Sequence, residues 1–182
     1  MGFNWRERLK YGAAGIGLLG LIVVYALEFN WFNRTINMPT LALGSLILAL
    51  LAGLGIGHRF AQQEHGLTEK IQIYLFFGMS CGIFGPLAGS LSNRLLSPPA
   101  DGPTPVEFVD QWSEYASRGG LMKGEAPQAN LYTVEFYYRQ RVRRVISRTP
   151  IPNPGARGDT IYLNIKPGLW GFEVVQNKAA AE

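Results

Sequence analysis

TINMPTLALGSLILALLAGLGIG, residues 35–57, holds 23 consecutive positions without an ionisable side chain. A hydrocarbon core of roughly 30 Å takes about 20 helical residues to cross, so this stretch reads as a membrane-spanning helix. Pro39 stands near its start, where a missing backbone N–H costs a helix nothing, and the helix is expected over residues 38–57.

Two further stretches flank it. Residues 11–27, YGAAGIGLLGLIVVYAL, run uncharged between Lys10 and Glu28, and the following Phe29-Asn30-Trp31-Phe32 supplies rings that settle at headgroup level. A helix over 11–29 is predicted. Arg6, Arg8 and Lys10, with Val24-Tyr25-Ala26 as a weak cleavage-site mimic, also give this segment some marks of a signal peptide. It is longer than the usual apolar region of about 7–15 residues, and a retained span is the expectation. Residues 71–93, IQIYLFFGMSCGIFGPLAGSLSN, give another 23 uncharged positions, with Thr68 as N-cap, and predict a helix over 70–93. Gly85-Pro86 inside it predicts a kink, because proline removes a backbone hydrogen bond.

None of the three stretches contains Asp, Glu, Lys, Arg or His. Ion pathways and proton relays place ionisable groups within the bilayer, so a self-contained pump is not expected. Small residues recur at four-residue spacing as Ala49, Gly53 and Gly57, and again as Cys81, Gly85 and Gly89. Such faces let helix backbones approach closely, either within one chain or across a dimer or larger complex. Cys81 is the sole cysteine, which excludes an intrachain disulfide.

The first 96 residues carry seven Lys or Arg against four Asp or Glu, and the remainder ten against nine. Neither part is polybasic, so nucleic acid is not an expected partner. Around the spans, Arg6, Arg8, Lys10, Arg59 and Lys70 fall on one side and Arg34 and Arg94 on the other. The positive-inside rule then predicts a plasma (inner) membrane protein with a cytoplasmic N-terminus and an extracytoplasmic C-terminal domain. In the loop between the second and third spans, His58, Glu64 and His65 match no standard zinc spacing, and no metal or other cofactor is expected.

Beyond the spans, residues 97–105 hold four prolines in nine and read as a semi-rigid spacer between a transmembrane domain (1–96) and a soluble domain (106–178). Phe108, Val109, Trp112, Tyr115 and Ala116 follow helical spacing, with Gly119-Gly120 as a stop, and predict an amphipathic helix over 106–118. Alternating apolar residues then mark strands over 131–148, broken by a turn near 139–143, and over 160–165 and 169–176. On the last of these, Trp170, Phe172 and Val174 share one face. The expected fold is a membrane all-α domain of three helices plus a small α+β domain, one helix on an antiparallel sheet of three or four strands.

Arg139, Arg141, Arg143, Arg144 and Arg148 put five guanidiniums in ten residues. Guanidiniums grip phosphate and carboxylate with two donors at once, which suits an anion site for lipid headgroups, an acidic partner or a polyanionic polymer. The same pattern also suits a solvated edge strand, kept from pairing by charge and partly neutralised by Glu107, Asp110 and Glu114. The C-terminal domain has neither His nor Cys, and no nucleophile with its base stands out. The sequence therefore predicts a non-catalytic membrane accessory or scaffold subunit in contact with the bilayer and with other subunits or itself. The alternatives are a homo-oligomeric transport or channel component and a membrane-anchored ligand sensor.

Overall fold

The computed structural model describes residues 5–100, 102–115, 129–151 and 155–176. Helices α1 (Trp5–Phe32), α2 (Met38–Ala61) and α3 (Leu67–Leu95) come first, each long and apolar enough to cross a membrane. All three run past the uncharged stretches that announce them, and α3 continues through Pro86.

Helices α2 and α3 form a hairpin whose glycines set the spacing. A Cβ on Gly53 would lie 2.6 Å from the Phe77 carbonyl oxygen and 2.9 Å from Cys81 Cβ. One on Gly85 would lie 2.5 Å from Ala49 Cβ, and one on Gly89 equally close to Ser45 Cβ. Gly57 faces Tyr74 more loosely, at 3.4 Å. Each glycine thus admits backbone where a side chain would hold the helices apart. Helix α1 differs: residues 15–24 are all exposed, and nothing lies within 4 Å of the Cβ positions of Gly12, Gly15, Gly17 and Gly20. Among its described residues, it is the last turns, around Glu28 and Trp31, that join the rest of the molecule.

Five antiparallel strands follow: β1 (Pro103–Glu114), β2 (Leu131–Tyr138), β3 (Arg141–Ser147), β4 (Thr160–Lys166) and β5 (Val174–Gln176), in the order β3-β2-β1-β4-β5. The sheet exceeds the predicted three or four strands, and where a helix was expected over 106–118 it has β1. The cause is a bulge. Phe108 pairs with Phe136 and Asp110 with Glu135, which leaves Val109 as the extra residue. Val106 and Phe108 are inward by period two, and the inserted residue then shifts the phase, so that 108, 109 and 112 imitate helical spacing. Ala116, Ser117, Arg118 and the Gly119-Gly120 stop lie outside the described residues, as do Asp101 of the linker, residues 152–154 and the 177–178 end of the domain.

Strand β1 pairs with β4 over residues 103–107 and with β2 over 107–114, so the sheet curls about its middle. Its two prolines sit where β4 is the only neighbour, which spares the ladder their missing N–H groups. Residues 103–105 thus belong to β1, not to the spacer. The predicted 169–176 strand shortens to β5, because Leu169–Gly171 turns, with Gly171 at φ +80°.

The connector between α1 and α2 completes the sheet. The Ile146 amide of β3 donates to the Asn33 carbonyl at 2.9 Å, on one side. On the other, Val175 N donates to Arg34 O at 2.9 Å and Ile36 N to Glu173 O at 2.8 Å, with Thr35 bridged to Val174. Residues 33–36 therefore lie between the sheet's two edges and join them, removing the unpaired groups that open edges expose. Ile36 enters the core with Val106, Phe108, Val134, Phe136, Val145, Ile161, Leu163, Ile165 and Val175. A sheet curled on itself buries its own inner face, which is why no covering helix is needed.

Candidate functional site

The chemistry of the described residues gathers where the ends of α1 and α3 and the start of α2 meet the sheet. In α3, Asn93 is 1 % exposed. Its Nδ2 donates to the Phe172 carbonyl at 2.7 Å, its Oδ1 accepts from Trp170 N at 3.0 Å, and its own carbonyl accepts from Leu169 N at 3.0 Å. Trp170 Nε1 adds a bond to Ser92 Oγ at 2.9 Å, and Lys166 Nζ one to the Arg94 carbonyl at 3.0 Å. Gly168 is required here, because a Cβ would collide with the Phe172 carbonyl and the Asn93 amide. Trp170 and Phe172 therefore meet α3 and do not extend β5. The sheet is not held away from the helices; it is fastened to them.

Beside this latch, Glu28 of α1 is 2 % exposed. It accepts from Arg94 Nη2 at 2.7 Å and Nε at 3.3 Å, and from Ser90 Oγ at 2.8 Å. The Arg94 guanidinium also lies over the Trp31 ring, 4.6 Å from its centroid, with Arg34 at 5.5 Å from the same centroid. Charge counting ended the first segment before Glu28 and the third before Arg94, which hid the pair. Glu28 in fact lies within the candidate span Gly15–Phe32.

The five arginines of the cluster separate. Arg139 and Gln140 form a two-residue turn with φ of 49° and 61°, so Arg139 lies off β3, the strand that carries Arg141, Arg143 and Arg144. Arg139 Nη2 pairs with Glu173 Oε1 at 2.7 Å, on a carboxylate that also accepts from Tyr138 OH. Arg144 pairs with Glu135 at 2.7 Å and lies over Trp112. The neutralising carboxylates are thus Glu173 and Glu135, where Glu107, Asp110 and Glu114 were expected. Arg143 Nη1 donates to Asn37 Oδ1 at 2.6 Å, while its Nε is buried without a hydrogen-bond partner. Arg141 and Arg148 are exposed.

Two groups here titrate away from their ordinary values. Burial, reinforced by the hydrogen bond to Glu173 and that carboxylate's charge, pushes the Tyr138 phenol up. Burial, with the nearby Arg148 charge, pushes Arg34 down. Arg34 Nε is likewise buried without a partner.

Elsewhere His58 engages both ring nitrogens, Nδ1 with Tyr74 OH at 2.7 Å and Nε2 with Gln62 at 3.0 Å. Among the described residues no three His, Cys, Asp or Glu converge as a metal site. Asp159 accepts from Ala156 N, and Glu114 from Trp112 Nε1 and Thr133 Oγ1.

Fold and junction together define a chain of three candidate membrane-spanning helices bonded to a curled five-stranded sheet. Set against family models, curated proteins and solved structures, it matches none.

Proposed function

We propose that the chain is a non-catalytic accessory or scaffold subunit of a larger membrane assembly, seated in the plasma (inner) membrane with its N-terminus cytoplasmic and its sheet outside. The observation that carries this reading is the state of α1. Glycine in a helix costs roughly 1 kcal/mol relative to alanine, and a lipid-facing glycine gains nothing in return. Four of them, at 12, 15, 17 and 20, stand open on a helix whose described bonds to the rest of the molecule come from its last turns. Close approach by another helix is what such residues serve. By contrast, Gly53, Gly57, Gly85 and Gly89 already face the partner helix within the hairpin, and of the α2 glycines only Gly44 and Gly55 are open as those of α1 are.

The junction supplies the rigidity that a scaffold requires, since the Asn93 bonds and the Glu28–Arg94 pair fix α1, α3 and the sheet together. The proposed sidedness rests on Arg59 and Lys70 lying at the ends of α2 and α3 away from the sheet. Gentle purification of the tagged full chain from its native membranes, followed by native mass spectrometry, tests the reading. Stoichiometric foreign subunits are expected. A lone monomer would contradict it, and a pure homo-oligomer would move the reading to the transport or channel class.

A further inference from the structure

A cleft of about 520 Å³ opens between β3 and the elbow of α1 and α2. Phe29, Phe32 and Met38 give it an apolar side, and Val142, Arg143 and Arg144 form the other. It lies at the level where α1 ends and α2 begins, the depth at which a bilayer passes from acyl chain to headgroup. Among the described residues no Asp or Glu lines it.

From this we infer that the cleft binds the headgroup phosphate of an anionic phospholipid, whose chains run down beside Phe29 and Phe32. Each guanidinium has five donors. Arg143 spends one on Asn37 and has its Nε buried, which leaves its remaining terminal N–H groups, while Arg144 lines the cleft, gives two to Glu135 beside Trp112 and remains 61 % exposed. Donors are therefore left over in a cleft that the rings of Phe29 and Phe32 also line. The first turn of α2 adds to the attraction. It contains no acidic residue, Asn37 makes no side-chain cap, and the helix turns its positive end toward the same cleft. Arg139 takes no part, being paired with Glu173.

This inference is independent of the partner proposed for α1. Its test uses the full chain in detergent, incubated with equal amounts of phosphatidylglycerol and phosphatidylcholine, and counts retained lipids by native mass spectrometry. Retention of phosphatidylglycerol is expected to exceed that of phosphatidylcholine by about tenfold, the scale of one or two basic side chains acting on an anionic headgroup. Arg143→Gln with Arg144→Gln should bring the ratio to about one, whereas Arg157→Gln, an exposed arginine on a distant loop, should leave it unchanged. Ala42→Trp, which fills the cleft without altering charge, should lower retention as well and keeps the test decisive if the double variant does not fold. Equal retention of the two lipids by the unaltered chain would overturn the inference, as would loss with Arg157→Gln. Complete displacement by millimolar inorganic phosphate would also overturn it, by showing a phosphate site without a lipid's chains.

Discussion

Glu28 in α1 and Arg94 in α3 lie 2.7 Å apart, and the carboxylate is almost wholly buried. The pair is the main side-chain tie between α1 and the remainder of the molecule. A buried pair is not always worth more than apolar residues in its place, but removing one member strands the other. Arg94→Ala is therefore expected to cost about 3–5 kcal/mol. The paired change Glu28→Ala with Arg94→Ala should cost distinctly less than the two single changes added together. Thermal unfolding of the four proteins in one detergent checks this, and strict additivity would show that the ion pair does not couple the helices.

Asn93 holds the 168–172 loop by both amide atoms, so Asn93→Leu leaves the Phe172 carbonyl and the Trp170 amide without partners. A loss of about 1–3 kcal/mol is expected. Hydrogen exchange should speed up in residues 168–173 before it does in β2, since the change unlatches the sheet from the helix without touching its core. Unaltered exchange in that loop would refute the latch.

Glycines of the hairpin and glycines of α1 should respond differently. Gly85→Ala puts a Cβ against Ala49 and should destabilise the isolated chain by about 1–3 kcal/mol, as overpacking does. Gly17→Ala meets nothing and should raise helix stability by up to about 1 kcal/mol. Gly17→Leu should leave the isolated chain folded and reduce recovery of its foreign subunits several-fold. Equal recovery from native membranes would count against α1 as the packing helix.

The turn between β2 and β3 places two side-chain-bearing residues at positive φ, where glycine is favoured. Gln140→Gly is expected to stabilise the sheet by about 0.5–1 kcal/mol, because it relieves the left-handed conformation and leaves the Arg139–Glu173 pair in place. A lower unfolding temperature would show that the Gln140 side chain contributes more than its strain costs.

Tyr138 gives the protein an alkaline sensitivity. Its phenol is held above the ordinary value in the folded state, so the protonated form favours folding. That contribution is complete below the unfolded value near pH 10 and declines as pH rises through the folded one. Stability measured from pH 9 upward should fall less steeply in Tyr138→Phe than in the unaltered protein. Parallel curves would contradict the assignment.

What could be read in the sequence follows from the range of the forces involved. The three helices are written in composition, and the hairpin of β2 and β3 in period two, because both signals are local. Strand β1 misled through Val109, since a single bulged residue converts alternation into something like a helical repeat. The closure of the sheet by Asn33–Ile36 left no local mark, for four connector residues say nothing of two edges more than a hundred positions further on. Glu28 was hidden by the rule that charges end spans, a rule that fails when the charge meets a partner from another helix. Of the five arginines, only their number was visible. Which of them are neutralised depends on Glu135 and Glu173, placed by the register of β2 and by the loop before β5.

The most direct test of α1 as a packing helix replaces Leu19, 63 % exposed on that helix, with a photoreactive diazirine residue and irradiates the protein in its native membrane. An adduct with one defined foreign protein chain is expected. Adducts with lipid alone, or with a second copy of the same chain, would contradict the scaffold reading.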